Sequence, residues 1–279
     1  MRRIAILGAA LLLAGGAATA TATVVAPHAL FIDHRTRSGV LYIQSQGDAP
    51  EEVSVALEFG YPVSDSLGGV RIQLIEEPGP DEPSAAGWVR ALPARAVVAP
   101  GARQAVRLLA LPPAGLPDGE YWSRVIVASR TAEPPVSASS DASVRVGLTL
   151  EMRTITSLTY RKGQVATGVR LDGFAAGIRG DTLDCDLRLA RTGNAAYLGQ
   201  LALVLTAEAG AEAGAAAGRW SQAIAVYREL HRRLSFPVGS LAPGRYTLRL
   251  RLSTEREDIP PADVLPAEPV ERALELAVP

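Results

Sequence analysis

Cysteine is almost missing from this chain: its 279 residues hold one, Cys185. A lone thiol closes no internal disulfide, even in a compartment that permits one, and the ordinary use of such a residue is as a small buried apolar group. Histidine is scarce too, with His28, His34 and His231 the full set. No HExxH and no Cys/His spacing suited to zinc occurs, so no metal site is expected. A GxSxG elbow, a Walker loop and a dinucleotide fingerprint are all lacking, and no spacing pairs two carboxylates as acid and base. The chain is therefore not expected to be an enzyme or to carry a cofactor. Neither sign of charge dominates: 28 Lys and Arg against 29 Asp and Glu leave a net charge of −1 and a pI near 6.3. Phosphate binding needs a concentrated positive surface, so nucleic acid is not expected as a partner.

Long apolar runs are lacking after the start, and the start itself is informative. "MRRIAILGAALLLAGGAATATATVVAP" places Arg2 and Arg3 before an apolar run from Ile4 to about Ala14, followed by small residues. That is the layout of a secretory signal peptide, and the run is short for a span of about 20 residues. Ala18-Thr19-Ala20 and Ala20-Thr21-Ala22 both satisfy the small-x-small rule for cleavage. Residues 1–22 are thus expected to be removed, leaving an exported protein that does not span the membrane. Apolar residues make up 48% of the chain, enough to fill the cores of the two domains that its length suggests.

What is present is short alternation broken by turn residues. "GVLYIQS", "EVSVALEF", "QAVRLLAL", "YWSRVIVAS" and "SVRVGLTLEM" read as strands, separated by "QGDAP", "APGAR", "PAGLPDG" and "TAEPPVSASSD". A second set follows from about residue 165: "QVATGVRL", "TLDCDLRLAR", "LGQLALVLTAE", "IAVYRELHRRLSF" and "RYTLRLRLS". Strands at this spacing predict an all-β sandwich or barrel. Residues 207–218, "AEAGAEAGAAAG", are too rich in glycine for a stable helix and read as a flexible loop between strands. "WSQAIAVYRELHRR" is the one helix candidate, and the strand and turn chemistry after it favours a strand. "LPDGEYWSRVIV" recurs in form as "LAPGRYTLRLRL", which suggests two similar domains meeting near Lys162 and Gly163. Tyr121 and Tyr246 are candidates for tyrosine corners, in which the hydroxyl bonds back to nearby backbone. Asp33 with His34 reads as a solvated turn. In "DHRTR", Arg35 and Arg37 are read on one side of an extended segment, either as a surface charge cluster or as a grip on a carboxylate.

The most regular stretch is "SVRVGLTLEM", residues 143–152. If it is extended, Val144, Val146, Leu148, Leu150 and Met152 share one face and Arg145, Gly147, Thr149 and Glu151 the other. The apolar row needs a cover, either this domain's own core or a partner.

The first half of the chain resembles the periplasmic chaperones of the chaperone/usher pilus pathway. The likeness runs through "PHALFI", "GVLYIQSQGDAPEEVSVAL", "VRALPARAVVAPGARQAVRLLALP", "LPDGEY" and "GLTLEMRTITSLTYR", nearly all of residues 25–162. In the second half, "ARTGNAAYLGQLALV" is similar to a strand and turn of the family built around Asn194 and Tyr197. The resemblance implies two immunoglobulin-like β-sandwich domains, 23–162 and 163–279, in an L or boomerang arrangement. It implies no catalysis, a periplasmic location, and as partners an exported pilus-type subunit and an outer-membrane usher. The last strand of the first domain would complete the subunit by strand addition, with Val144, Val146, Leu148, Leu150 and Met152 filling its groove. Glu120 and Arg161 match an ion pair at the family's domain junction. The family's anchors for the subunit's terminal carboxylate, an Arg and a Lys, fall on Ala29 and Ser157 in this sequence. His28, Arg35, Arg153 and Lys162 are the nearby groups that could take over that role. The alternative reading is a two-domain immunoglobulin-like surface or adhesion protein whose apolar strand is internal core.

Overall fold

A computed structural model describes residues 23–132, 150–208 and 214–278. Its first ten strands are β1 (Val24–Ala26), β2 (Ala29–Asp33), β3 (Ser38–Gln44), β4 (Glu51–Ser64), β5 (Val70–Ile75), β6 (Val89–Leu92), β7 (Arg95–Val98), β8 (Arg103–Ala110), β9 (Gly119–Thr131) and β10 (Glu151–Lys162). One sheet runs β1-β3-β8-β6. The facing sheet runs β2-β10-β9-β4-β5, with β7 also pairing β4. Side chains alternate across each strand, so one row from each sheet turns inward. Leu41, Ile43, Val106 and Leu108 from the first sheet meet Val53, Val125, Val127, Leu158 and Tyr160 from the second, all buried in one core.

Seven more strands follow: β11 (Thr167–Arg179), β12 (Thr182–Gly193), β13 (Tyr197–Ala207), β14 (Ala216–Val226), β15 (Glu229–Pro237), β16 (Gly244–Ser253) and β17 (Val270–Val278). They form a three-stranded sheet, β11-β12-β15, and a four-stranded one, β14-β13-β16-β17. Strand β13, "YLGQLALVLTA", alternates buried and half-buried residues from end to end. Leu201, Leu203 and Leu205 thereby enter a second core with Leu187, Leu248 and Leu250. Burying each such leucine is worth about 1.5–3 kcal/mol. The strand pattern allowed a sandwich or a barrel, and the fold is a two-domain β-sandwich, with separate cores on either side of Gly163.

Both candidate corners have corner geometry. Tyr121 Oη donates to the Pro117 carbonyl at 2.9 Å, and Tyr246 Oη donates to the Ala242 carbonyl at 2.9 Å. Cys185 is buried in the second core, and burial pushes its thiol pKa up to about 12.

Three local expectations are corrected. "IAVYRELHRRLSF" is two strands, because Tyr227 and Arg228 carry the chain from β14 in one sheet to β15 in the other. The glycine-rich loop is shorter than 207–218, since β13 takes Ala207 and β14 starts at Ala216. "DHRTR" is a tight turn rather than an extended segment. The Asp33 carboxylate accepts the backbone N–H groups of Arg35 at 2.8 Å and Thr36 at 2.9 Å, which folds the chain back on itself. Arg37 N–H then donates to the Asp33 carbonyl at 2.9 Å with φ at 52°, so Arg35 and Arg37 do not share a strand face.

Candidate functional site

Strand β10 has two different halves. It pairs antiparallel with β9 along its whole length, from Glu151 opposite Arg130 to Lys162 opposite Gly119. It pairs parallel with β2 only from Ser157, opposite Ala29, to Arg161, opposite Asp33. Among the described residues, 151–156 therefore have a strand neighbour on one side only. Ser157 N–H donates to the His28 carbonyl at 3.1 Å, which fixes the direction of every backbone group in the strand. Successive residues point their N–H and C=O to opposite sides, so Glu151, Arg153 and Ile155 aim theirs at the open edge. Met152 and Thr154 aim theirs at β9.

The side chains follow the same alternation. Leu158 and Tyr160 are fully buried in the first core, and Met152, on their face, is half-buried. Leu150 is 66% exposed and Ile155 42% exposed. An edge bearing free backbone groups and uncovered apolar side chains is a template for another strand. Of the predicted row, Val144, Val146 and Leu148 lie outside the described residues, while Leu150 and Met152 stand where β10 begins.

The open stretch ends at Ala29 and Ser157, the two positions aligned with the family's missing anchors. They are direct neighbours across the β2-β10 ladder. The four candidate replacements are dispersed. His28 stands at this end, beside Asp258 of the second domain; that carboxyl is held below its ordinary range mainly by its hydrogen bond to Arg256, with His28 adding a smaller effect. Arg153 lies on the open stretch with its guanidinium on Glu151 at 2.7 Å. Arg35 is in the turn beyond β2, and Lys162 closes β10 with its ammonium on Asp118 at 2.9 Å. From Arg153 to Lys162 is about 30 Å along an extended strand, so these groups form no single site.

At the far end of β10, Glu120 and Arg161 meet. The carboxylate, with no side-chain exposure, accepts from Arg161 Nε at 2.9 Å through Oε2. Its Oε1 accepts from Trp122 Nε1 at 2.8 Å and from Ala196 N–H at 3.0 Å. Arg161 Nη1 donates to the Asp263 carbonyl at 2.6 Å. Ala196 and Asp263 belong to the second domain, so the pair is bonded to it from both ends.

Beside the pair is an aromatic contact that sequence reading missed. Phe59, Trp122, Ala196 and Tyr227 form a buried cluster of their own across the domain boundary. Trp122 meets Tyr227 edge-on at 4.7 Å between ring centres, and Tyr61 stacks on Tyr227 at 6.5 Å. Arg124 lies over the Tyr227 ring at 5.0 Å and donates from Nε to the Gly60 carbonyl at 2.9 Å. The sequence reading ran through Tyr227 as one strand, "IAVYRELHRRLSF", although Tyr227 is out of phase with Ile224 and Val226.

The sequence matches no family model and no curated protein. Solved structures of similar chain path exist. One is the CsuC-CsuE chaperone–tip adhesion subunit pre-assembly complex from archaic chaperone-usher Csu pili of Acinetobacter baumannii, at 12% identity over 91% of this chain and 98% of that one, TM-score 0.44. The YadV chaperone is similar at 14% identity over 90% and 99%, TM-score 0.47. The Salmonella enterica SafA pilin in complex with the SafB chaperone is similar at 11% identity over 91% and 96%, TM-score 0.42. Likeness at these identities concerns fold alone.

Proposed function

We propose that this protein is a non-enzymatic assembly chaperone, working in the periplasm after loss of residues 1–22, that binds an exported pilus-type subunit by strand addition. An outer-membrane usher would receive the complex. The observation that carries this reading is the half-open strand β10. Its backbone groups at Glu151, Arg153 and Ile155 face outward, next to the apolar row that begins at Val144. Backbone hydrogen bonds along that edge supply affinity, and alternate side chains at Val144, Val146, Leu148, Leu150 and Met152 fill the client's groove. The client's end would arrive at His28 and Ser157. His28, with Arg153 nearest on the same edge, is the better placed of the candidate anchors. No helix among the described residues is long and apolar enough to cross a membrane.

The alternation provides the test. Co-expression with an exported, incomplete immunoglobulin-like subunit is expected to yield a one-to-one complex. In that complex the amides of Glu151, Arg153 and Ile155 become protected from hydrogen exchange, while Met152 and Thr154 are protected with or without client. Leu148→Asp puts an unpaired charge into the client's groove and should lower affinity at least about a hundredfold while leaving the free protein folded. A complex whose odd-numbered amides still exchange freely, or a Leu148→Asp chain that unfolds, would remove this reading in favour of a structural module.

A further inference from the structure

The start of β1 holds a polar group that the strand-addition reading does not use. Glu51 is 3% exposed, Thr23 7% and Ser129 6%. Thr23 Oγ1 donates to Glu51 Oε2 and lies 2.8 Å from Ser129 Oγ. Glu51 Oε1 is fully buried and has no hydrogen-bond partner. Glu51 shares its face of β4 with Val53 and Val55, so the carboxylate is aimed into the end of the first core. The charged residues next to it on the same ladder, Glu52 and Arg130, pair with each other at 2.6 Å on the opposite face. Among the described residues, the hydroxyls of Thr23 and Ser129 are the polar groups bonded there; a carboxylate buried in such surroundings is costly, and a cation is the group that would compensate it.

The chain can supply that cation. A threonine's backbone nitrogen and hydroxyl oxygen hang from adjacent carbons, so the nitrogen of Thr23 lies close to the carboxylate that its hydroxyl already touches. We infer that the Ala22–Thr23 bond is the one cut on export, and that the α-ammonium of Thr23 then pairs with Glu51 inside the first domain. Hydrolysis consumes water and leaves a carboxylate on Ala22 and an ammonium on Thr23. Of the two bonds that satisfy the small-x-small rule, this is the one whose new end falls at the buried carboxylate. Cutting after Ala20 would leave the ammonium two residues, about 7 Å of extended chain, too far along. The inference rests on the signal-peptide reading and adds a purpose to the site of cutting: the end that cleavage creates is a structural part that the precursor lacks. The pairing ties the residue before β1 across the core to β4 of the facing sheet.

Lys162 is the only lysine in the chain, so the mature protein has two amines, which makes the test direct. The protein is exported, purified and weighed, then acylated over a range of pH, with each amine followed by mass spectrometry and Lys162 as internal control. A mature chain starting at Thr23 is expected. Its α-amine should titrate at least one unit above the usual range of about 7.7–8.0, because a neighbouring carboxylate favours the charged form. Glu51→Gln should return it to that range, raising its labelling rate at pH 8 at least about fivefold and leaving Lys162 unchanged. Should the variant not fold, adding one glycine before Thr23 separates the groups and should have the same effect on the amine. An uncut chain would overturn the signal-peptide reading and this inference together. A start at Thr21, or an α-amine in the ordinary range with Glu51 intact, would overturn this inference alone.

Discussion

Replacing Glu120 with glutamine isolates the ion pair at the domain junction. The two bonds to Oε1, from Trp122 Nε1 and Ala196 N–H, survive in an amide of the same shape. What changes is the atom facing Arg161 Nε, which becomes an NH₂, so donor meets donor where a carboxylate oxygen accepted at 2.9 Å. Breaking a buried pair by removing one partner costs about 3–5 kcal/mol. The low end applies here, because Arg161 is 15% exposed and keeps the Asp263 carbonyl. A loss of about 3 kcal/mol with a urea slope of about 2–3 kcal/mol per molar moves the midpoint down by about 1–1.5 M. Because the pair is bonded to the second domain from both ends, the parent is expected to melt as one unit in calorimetry and the variant as two separated sandwiches. Arg161→Gln alone should cost a similar amount. The double variant should cost less than the sum by about 1.5–3 kcal/mol, since neither charge is then left unpaired. A midpoint moved by less than about 0.2 M, or a coupling below about 0.5 kcal/mol, would show that the pair does not hold the junction and that the aromatic cluster suffices.

Three smaller outcomes follow from the same geometry. Tyr246→Phe removes the bond to the Ala242 carbonyl and should cost about 1 kcal/mol in urea denaturation, with Tyr121→Phe costing less because its hydroxyl is nearer solvent. Cys185, buried and with its thiol pushed up to about 12, should not react with a disulfide reagent at pH 8 until the protein is unfolded in urea. Asp118 is held below its ordinary carboxyl pKa, first by its hydrogen bond from Lys162 and then by the backbone N–H of Gln164. A depressed carboxyl stabilises the fold above its unfolded value and loses that contribution as pH falls through its folded value. Asp118→Asn should therefore flatten the acid limb of the stability curve below about pH 4, measured against the parent at fixed salt.

The sandwich class was legible because alternation is local. Leu201, Leu203 and Leu205 announce an inward row without knowledge of what they meet, and both corner tyrosines stand in a repeated short motif. The turn at Asp33 was legible in part: the residue types were read as a turn, but the bonds that fold back "DHRTR" depend on a side chain reaching the backbone of Arg35 and Thr36. The junction was less accessible. Trp122 and Tyr227 come from different domains, and no periodicity in either strand says that they touch. Glu51 was overlooked for another reason. Glu51 falls between the turn "QGDAP" and the strand "EVSVALEF", yet it is in phase with Val53 and Val55, and phase rather than polarity decides that it points inward.

The open half of β10 was the least legible feature, because it depends on where a different strand stops. Strand β1 pairs with β3 from Val24 opposite Gln44 to Ala26 opposite Tyr42, in the sheet that faces β10. It changes sheets across Pro27 and His28, and only from Ala29 does it lie beside β10 as β2. Proline, which has no N–H to give a ladder, suits such a crossing. Had β1 continued straight back along β10, it would have covered residues 151–156, and no strand could be added there. The edge is thus held open by whatever keeps β1 on the other sheet: its ladder to β3 from Val24 to Ala26 does so, while the Thr23–Glu51 contact ties the residue before β1 across the core to β4, in β10's own sheet. The one-sided pairing of β10 over residues 151–156 follows from that change of sheet, and the strand addition proposed for this edge depends on it.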